Sequence, residues 1–178
     1  MRIETDAGIV EIINEPAHTF CSADNVRSYP VEHNLTVDSR PFSIHGLILN
    51  GAPLAVFGRG GGPSSVHQHS GVYVDSSLYL AVGDCVVCVE LKPFRFQWML
   101  ETDSATCFGI HFDTHHQALI SHGELEISRF SNDGRLLWNA SGADIFTGEF
   151  SLHPQYVQAI DWNDRVYRFR YEDGGLVN

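Results

Sequence analysis

Leu78-Tyr79-Leu80-Ala81-Val82-Gly83-Asp84-Cys85-Val86-Val87-Cys88-Val89-Glu90-Leu91 is the stretch on which the reading of the fold turns. Two short apolar runs, 78–82 and 85–91, flank a Gly-Asp pair. Each is too short for a buried helix, and the second is rich in β-branched residues, so they read as two strands joined by a tight turn. Working outward, the same pattern recurs. Residues 72–74 precede the turn Asp75-Ser76-Ser77, and 94–100 alternate aromatic with polar residues. Residues 106–112, 125–130 and 135–138 follow, the last two joined by Asn132-Asp133-Gly134. The chain ends in the runs 148–152, 157–162 and 165–171.

On the N-terminal side, Asp6-Ala7-Gly8 is a turn before 9–13, giving an N-terminal hairpin within 1–15. Residues 46–49 and 54–57 flank Asn50-Gly51, a strong hairpin signal because a type I′ turn needs positive φ at both central positions. Helical periodicity is scarce, and 114–122 is the best candidate for a helix. The segment 58–63, Gly-Arg-Gly-Gly-Gly-Pro, lacks the Lys-Ser/Thr of a nucleotide loop and reads as a mobile surface loop. Turns every eight to twelve residues predict one all-β, antiparallel, hairpin-rich domain over 1–178.

Trp98 and Trp138 are 40 residues apart (138 − 98), and so are Gly134 and Gly174 (174 − 134). In that register a strand, a tight turn and a second strand recur three times, and a fourth copy could begin at Gly46. A period of forty is that of a four-stranded propeller blade. The stretches Leu78–Asp84 and Asp133-Gly134-Arg135-Leu136-Leu137-Trp138 resemble the blade hairpins of quinoprotein-like and WD-type β-propellers over residues 72–178. That resemblance implies a binding scaffold. Hairpins at similar intervals also occur in barrels and sandwiches, so those arrangements stay open.

The net charge of −11 disfavours nucleic acid and anionic membrane surfaces as partners, because both need clustered cations. No run reaches the length of a spanning helix, and the N-terminus lacks the apolar run of a signal peptide. A cytoplasmic location is expected. The cysteines Cys21, Cys85, Cys88 and Cys107 are then expected to be reduced thiols. Cys85-x-x-Cys88 is not a ligand pair, since residues three apart on a strand face opposite sides.

Ten histidines stand out. His67 and His69, at i and i+2, would share one face of a strand. His111, Asp113 and His115 form a second such set. Together they could hold a divalent transition metal such as Zn, Mn or Fe. Gly61, five residues and His67-Gln68-His69 also resemble the opening of the first cupin motif. That family's glutamate position is Tyr73 here, so Asp75 or Asp113 would have to supply the carboxylate. Tyr156, Trp162 and Tyr167 are candidates for an aromatic ligand platform.

No Gly-x-Ser-x-Gly or His-Glu-x-x-His motif is present. The expected function is a non-enzymatic binding or interaction module. Its partner would be a protein or small ligand, and self-association is open to it. The alternative is a cupin-like metal protein or metal-dependent enzyme using the histidines.

Overall fold

Asn50 and Gly51 sit at φ of 51° and 83°, the type I′ geometry expected of Asn-Gly, and the strands they join zip from Leu49↔Ala52 outward. This hairpin belongs to a computed structural model that describes residues 1–36 and 40–177. Sixteen strands and no helix occur among the described residues. They form four separate sheets in chain order.

The first sheet contains β1 (Arg2–Thr5), β2 (Gly8–Asn14), β3 (Val31–Asn34), β4 (Ser43–Leu49) and β5 (Ala52–Arg59), in the order β1-β2-β4-β5-β3. Only β3 is parallel to its neighbour; it lies along β5 with His33 opposite Phe57. The second sheet is an up-and-down meander of β6 (Gly71–Val74), β7 (Ser77–Val82), β8 (Cys85–Leu91) and β9 (Phe94–Glu101). The third repeats it with β10 (Cys107–Asp113), β11 (Ala118–Gly123), β12 (Glu126–Phe130) and β13 (Leu136–Ser141). The fourth has three short strands, β14 (Phe150–Leu152), β15 (Val157–Ile160) and β16 (Val166–Phe169).

The sheets stack face to face, and period-two alternation decides which neighbour each side chain meets. From β7 and β8, Leu78, Leu80, Val82, Val87 and Val89 pack on Val10, Ile12, Leu47 and Phe57 of the first sheet. The intervening Tyr79, Ala81, Val86 and Cys88 face the third sheet, where they meet Ile110, Leu119 and Phe130. The third sheet turns Ile120, Ile127 and Trp138 toward Val157, Ala159 and Phe169 of the fourth. A strand buried on both faces must be apolar throughout, which is why 78–82 and 85–91 show no polar alternation. Cys85 and Cys88 do lie on opposite faces, and burial pushes Cys88 up to about 11.

The outer face of the first sheet is covered differently. The loop from Glu15 to Pro30 folds back so that Tyr29 and Phe20 pack on Ile44 and Val56. Gly46 and Gly58 make this possible: a β-carbon on Gly46 would lie 2.0 Å from the Tyr29 hydroxyl, and one on Gly58 would lie 2.5 Å from the Phe20 ring.

The forty-residue spacing is a packing device. Trp98 on β9 reaches across to the β12–β13 turn, donating from Nε1 to the Asn132 carbonyl at 3.1 Å. Gly134 in that turn has φ of 80°, and a β-carbon on it would strike the Trp98 ring at 2.7 Å. One sheet later Trp138 lies under Gly174 in the same way, with Nε1 donating to the Tyr171 carbonyl at 2.7 Å. The first junction uses a different set, with His33 stacked between Phe57 and Phe96 at 5.2 and 4.7 Å.

Three expectations are corrected. Residues 114–122 are not helical: Thr114–Gln117 forms a turn, with Gln117 at φ of 48°, and the rest is β11. The loop at 58–63 is wedged against its neighbours, with Gly62 N–H donating to the Ala105 carbonyl at 2.8 Å. A β-carbon on Gly61 would lie 2.5 Å from that same carbonyl. The cupin reading has no support, because the chain forms stacked sheets and His67 and His69 lie outside any strand.

Candidate functional site

The segment His67-Gln68-His69-Ser70 is a tight turn leading into β6. It is held by Ser70 Oγ, which accepts from His67 N–H at 2.8 Å, and by Ser70 N–H, which donates to the His67 carbonyl at 3.1 Å. The turn docks on β10 through the Ile110 N–H, which donates to the His69 carbonyl at 2.8 Å. Gly109, at a bulge in β10, permits this approach, since a β-carbon there would lie 2.9 Å from His69. A side chain on β10 thus comes to sit beside the turn.

That side chain is His111. Its ring stacks on His69 with centroids 4.5 Å apart, and on its other side meets Phe150 of β14 at 4.4 Å. Phe150 in turn stacks on His122 of β11 at 4.7 Å, and His122 meets Phe108 edge-on at 5.6 Å. His67 stands edge-on to His69 at 6.0 Å. The result is a column of four imidazoles and two phenyl rings that joins the second, third and fourth sheets. His67 and His69 are exposed, whereas His111 and His122 are half-buried. Burial, with the neighbouring imidazoles adding to it, holds His111 down at about 3 and His122 at about 4. His69 is lowered for the same reasons. His45, buried below, is also held neutral by desolvation, its Nδ1 3.0 Å from the Ala81 carbonyl.

The hydrogen bonds fix the tautomers. His67 Nε2 lies 2.6 Å from the Phe108 carbonyl and donates to it, while its Nδ1 accepts from the His69 amide at 3.2 Å. His69 Nε2 accepts from the Gln68 side-chain amide at 3.0 Å. His122 Nε2 is buried without a hydrogen-bond partner.

Of the five residues expected to converge, the structure brings together His67, His69 and His111. Asp113 and His115 lie elsewhere. Asp113 accepts from the Tyr171 hydroxyl at 2.6 Å and from the amides of His115 and His116, closing the turn after β10. His67 and His69 are on a turn rather than on one strand face. Among the described residues no group of three or more His, Cys, Asp or Glu is arranged around a common point. Rings stacked face to face direct their nitrogens past one another.

His122, Phe108 and Phe150 were missed. Reading 114–122 as a helix hid the signal: as a strand, β11 pairs Gly109 with His122 and so sets His122 next to His111 on the sheet.

The aromatic platform does not form. Tyr156 and Trp162 flank the four-residue strand β15 at its opposite ends, so they do not share a face. Tyr156 stacks with His153 at 4.6 Å and lies under the Arg168 guanidinium. Tyr167 packs inward, with its hydroxyl donating to Asp161 at 2.9 Å. Trp162 is 69% exposed.

Successive sheets, antiparallel apart from β3, packed face on face and locked at two of their three junctions by a Trp–Gly contact that recurs after forty residues, define a β-propeller-type architecture. Among solved structures the chain is similar to BamB from Moraxella catarrhalis, with a TM-score of 0.52 at 15% identity. The match covers 85% of this chain and 52% of that one, so the chain spans about half the length of that protein. No protein-family model and no curated protein matches the chain.

Proposed function

We propose that this chain is a propeller-type interaction module that binds a protein partner through the edge of the stack, at the second and third sheets, where the His67–His69 turn is exposed. The observation that carries the reading is the histidine column. Half-buried His111 and His122, set on strands, back two exposed imidazoles on a turn that is itself docked on β10, which makes a held polar surface rather than a free loop. The similarity to BamB supports the architecture.

Crosslinking and mass spectrometry in the source cells, comparing the parent with the double variant His67→Ala/His69→Ala, tests it. A partner captured by the parent, lost by the variant and reconstituted with purified components is the expected result. A partner bound equally by both would move the site elsewhere. Turnover of a small substrate by the pure chain, abolished at one of these histidines, would replace the reading with an enzyme.

The approach of His67, His69 and His111 favours a second reading, in which they hold a divalent metal such as Zn, Mn or Fe. Binding would require the His69–His111 stack to open and His69 to release Gln68. Metal analysis of untagged protein, with melting curves in added Zn, Mn or Fe, decides it. Near-stoichiometric metal and a raised midpoint support it; no metal and an unchanged midpoint dismiss it.

A further inference from the structure

The stacking of sheets leaves the two ends of the molecule unlike each other. Each sheet has one face toward the next sheet in the chain. On the third sheet that face carries Ile120, His122 and Trp138, and the fourth sheet covers it. Forty residues on from Ile120, the corresponding face of the fourth sheet carries Ile160, with Val166 and Arg168 paired across from Ile160 and Gln158, Val177 beside Arg168, and Trp162 in the turn that follows β15. Trp162 is 69% exposed, Val166 51% and Val177 37%. At the other end, the loop from Glu15 to Pro30 covers the first sheet but exposes apolar side chains of its own: Val26 is fully exposed, and Ala17 and Ala23 are exposed as well. None of the four apolar clusters spans the first and fourth sheets.

We propose that two copies of this chain associate head to tail, the open face of each fourth sheet docking on the Glu15–Pro30 loop of the other, so that two four-sheet arcs close one ring. Two observations select a second copy and this orientation. The open face continues an interface already formed three times along the chain. Its cation Arg168 is exposed, and the loop presents Asp24. Face-to-face pairing of two fourth sheets would instead bring the two Arg168 side chains toward each other. The proposal rests on the propeller-type stacking and not on the histidine column, so the two can fail separately.

Mass measurement by light scattering after gel filtration, at about 100 μM, tests it. The expected mass is twice 19.8 kDa. Val166→Asp on the fourth sheet and Val26→Asp on the loop, both exposed and so tolerated by the fold, should each weaken the dimer at least ~10-fold, with unchanged circular dichroism. Mixing the two variants should restore part of the dimer, because one of its two contacts then joins two unaltered surfaces. A monomeric parent overturns the proposal. So does a dimer broken by Val166→Asp but not by Val26→Asp, which would mean fourth sheets paired with each other. A series of higher polymers would refute closure.

Discussion

Protonating His111 would place a cation between two stacked rings, with a second and third imidazole close by. Desolvation first, and those neighbours second, hold it at about 3, and His122 at about 4, against 6.5 for an ordinary histidine. The folded chain therefore refuses protons that the unfolded chain accepts below about pH 6.5. Stability from these two groups is fully present above that pH and is lost as pH falls toward 4, by up to about 1.4 kcal/mol per pH unit for each imidazole. Melting midpoints measured from pH 8 to pH 5 should fall. The double variant His111→Phe/His122→Phe should flatten that slope, and an unchanged slope would show that these rings do not carry it. A second residue-scale prediction concerns Asp103, which is 1% exposed. Its Oδ1 accepts from the amides of Ala105 and Thr106, and its Oδ2 from those of Leu125 and Glu126, at 2.6–2.9 Å. Asp103→Ala would leave four donors facing a void and should lower unfolding free energy by about 3 kcal/mol in urea. A loss below about 1 kcal/mol would mean that water replaces the carboxylate.

At the scale of the elements, the Trp–Gly contact couples β9 and β13 each to a glycine beside the strands of the next sheet. Gly134→Ala combines a positive φ with a β-carbon 2.7 Å from the Trp98 ring, and should destabilise by about 2–3 kcal/mol. Trp138→Phe keeps most of the apolar area but leaves the Tyr171 carbonyl without its indole donor; about 1 kcal/mol is expected, less because Arg129 also donates to that carbonyl. Urea titrations of both variants check the order, which would be reversed if the hydrogen bond outweighed the fit. Much of this level was legible in the sequence. Asn50-Gly51, the runs of β7 and β8 and the Trp98–Trp138 spacing are local signals set by φ preferences and burial. β3 was not legible, because it pairs in parallel with a strand more than twenty residues away and has only four residues to show a pattern. Nor was β11, where Thr114, the paired His115-His116 and Gln117 broke the alternation before the strand began. The histidine column was half legible for the same reason: it depends on which sheet follows which, and Phe150 comes from a strand only three residues long.

Across the whole molecule, a stack in which each sheet touches only its neighbours has a stability that varies along the chain. The second sheet is buried on both faces, with Leu78, Leu80, Val82, Val86 and Val87 at 0% exposure. Its strands run to seven and eight residues in β8 and β9. The fourth sheet has strands of three and four residues and one open face. Its loss exposes one face of the third sheet, with Ala118, Ile120, Ile127 and Trp138. Amides of β14–β16 should therefore exchange through a sub-global opening, several kcal/mol below the free energy that releases β7 and β8. Hydrogen exchange read by mass spectrometry, on dilute monomeric protein, measures both. Equal opening energies for the two sheets would show that the stack unfolds as one cooperative unit. If the fourth sheet opens first in dilute solution and gains protection as concentration rises, its open face is the surface that a second copy covers, and Val166→Asp should abolish that gain without altering exchange in β7 and β8.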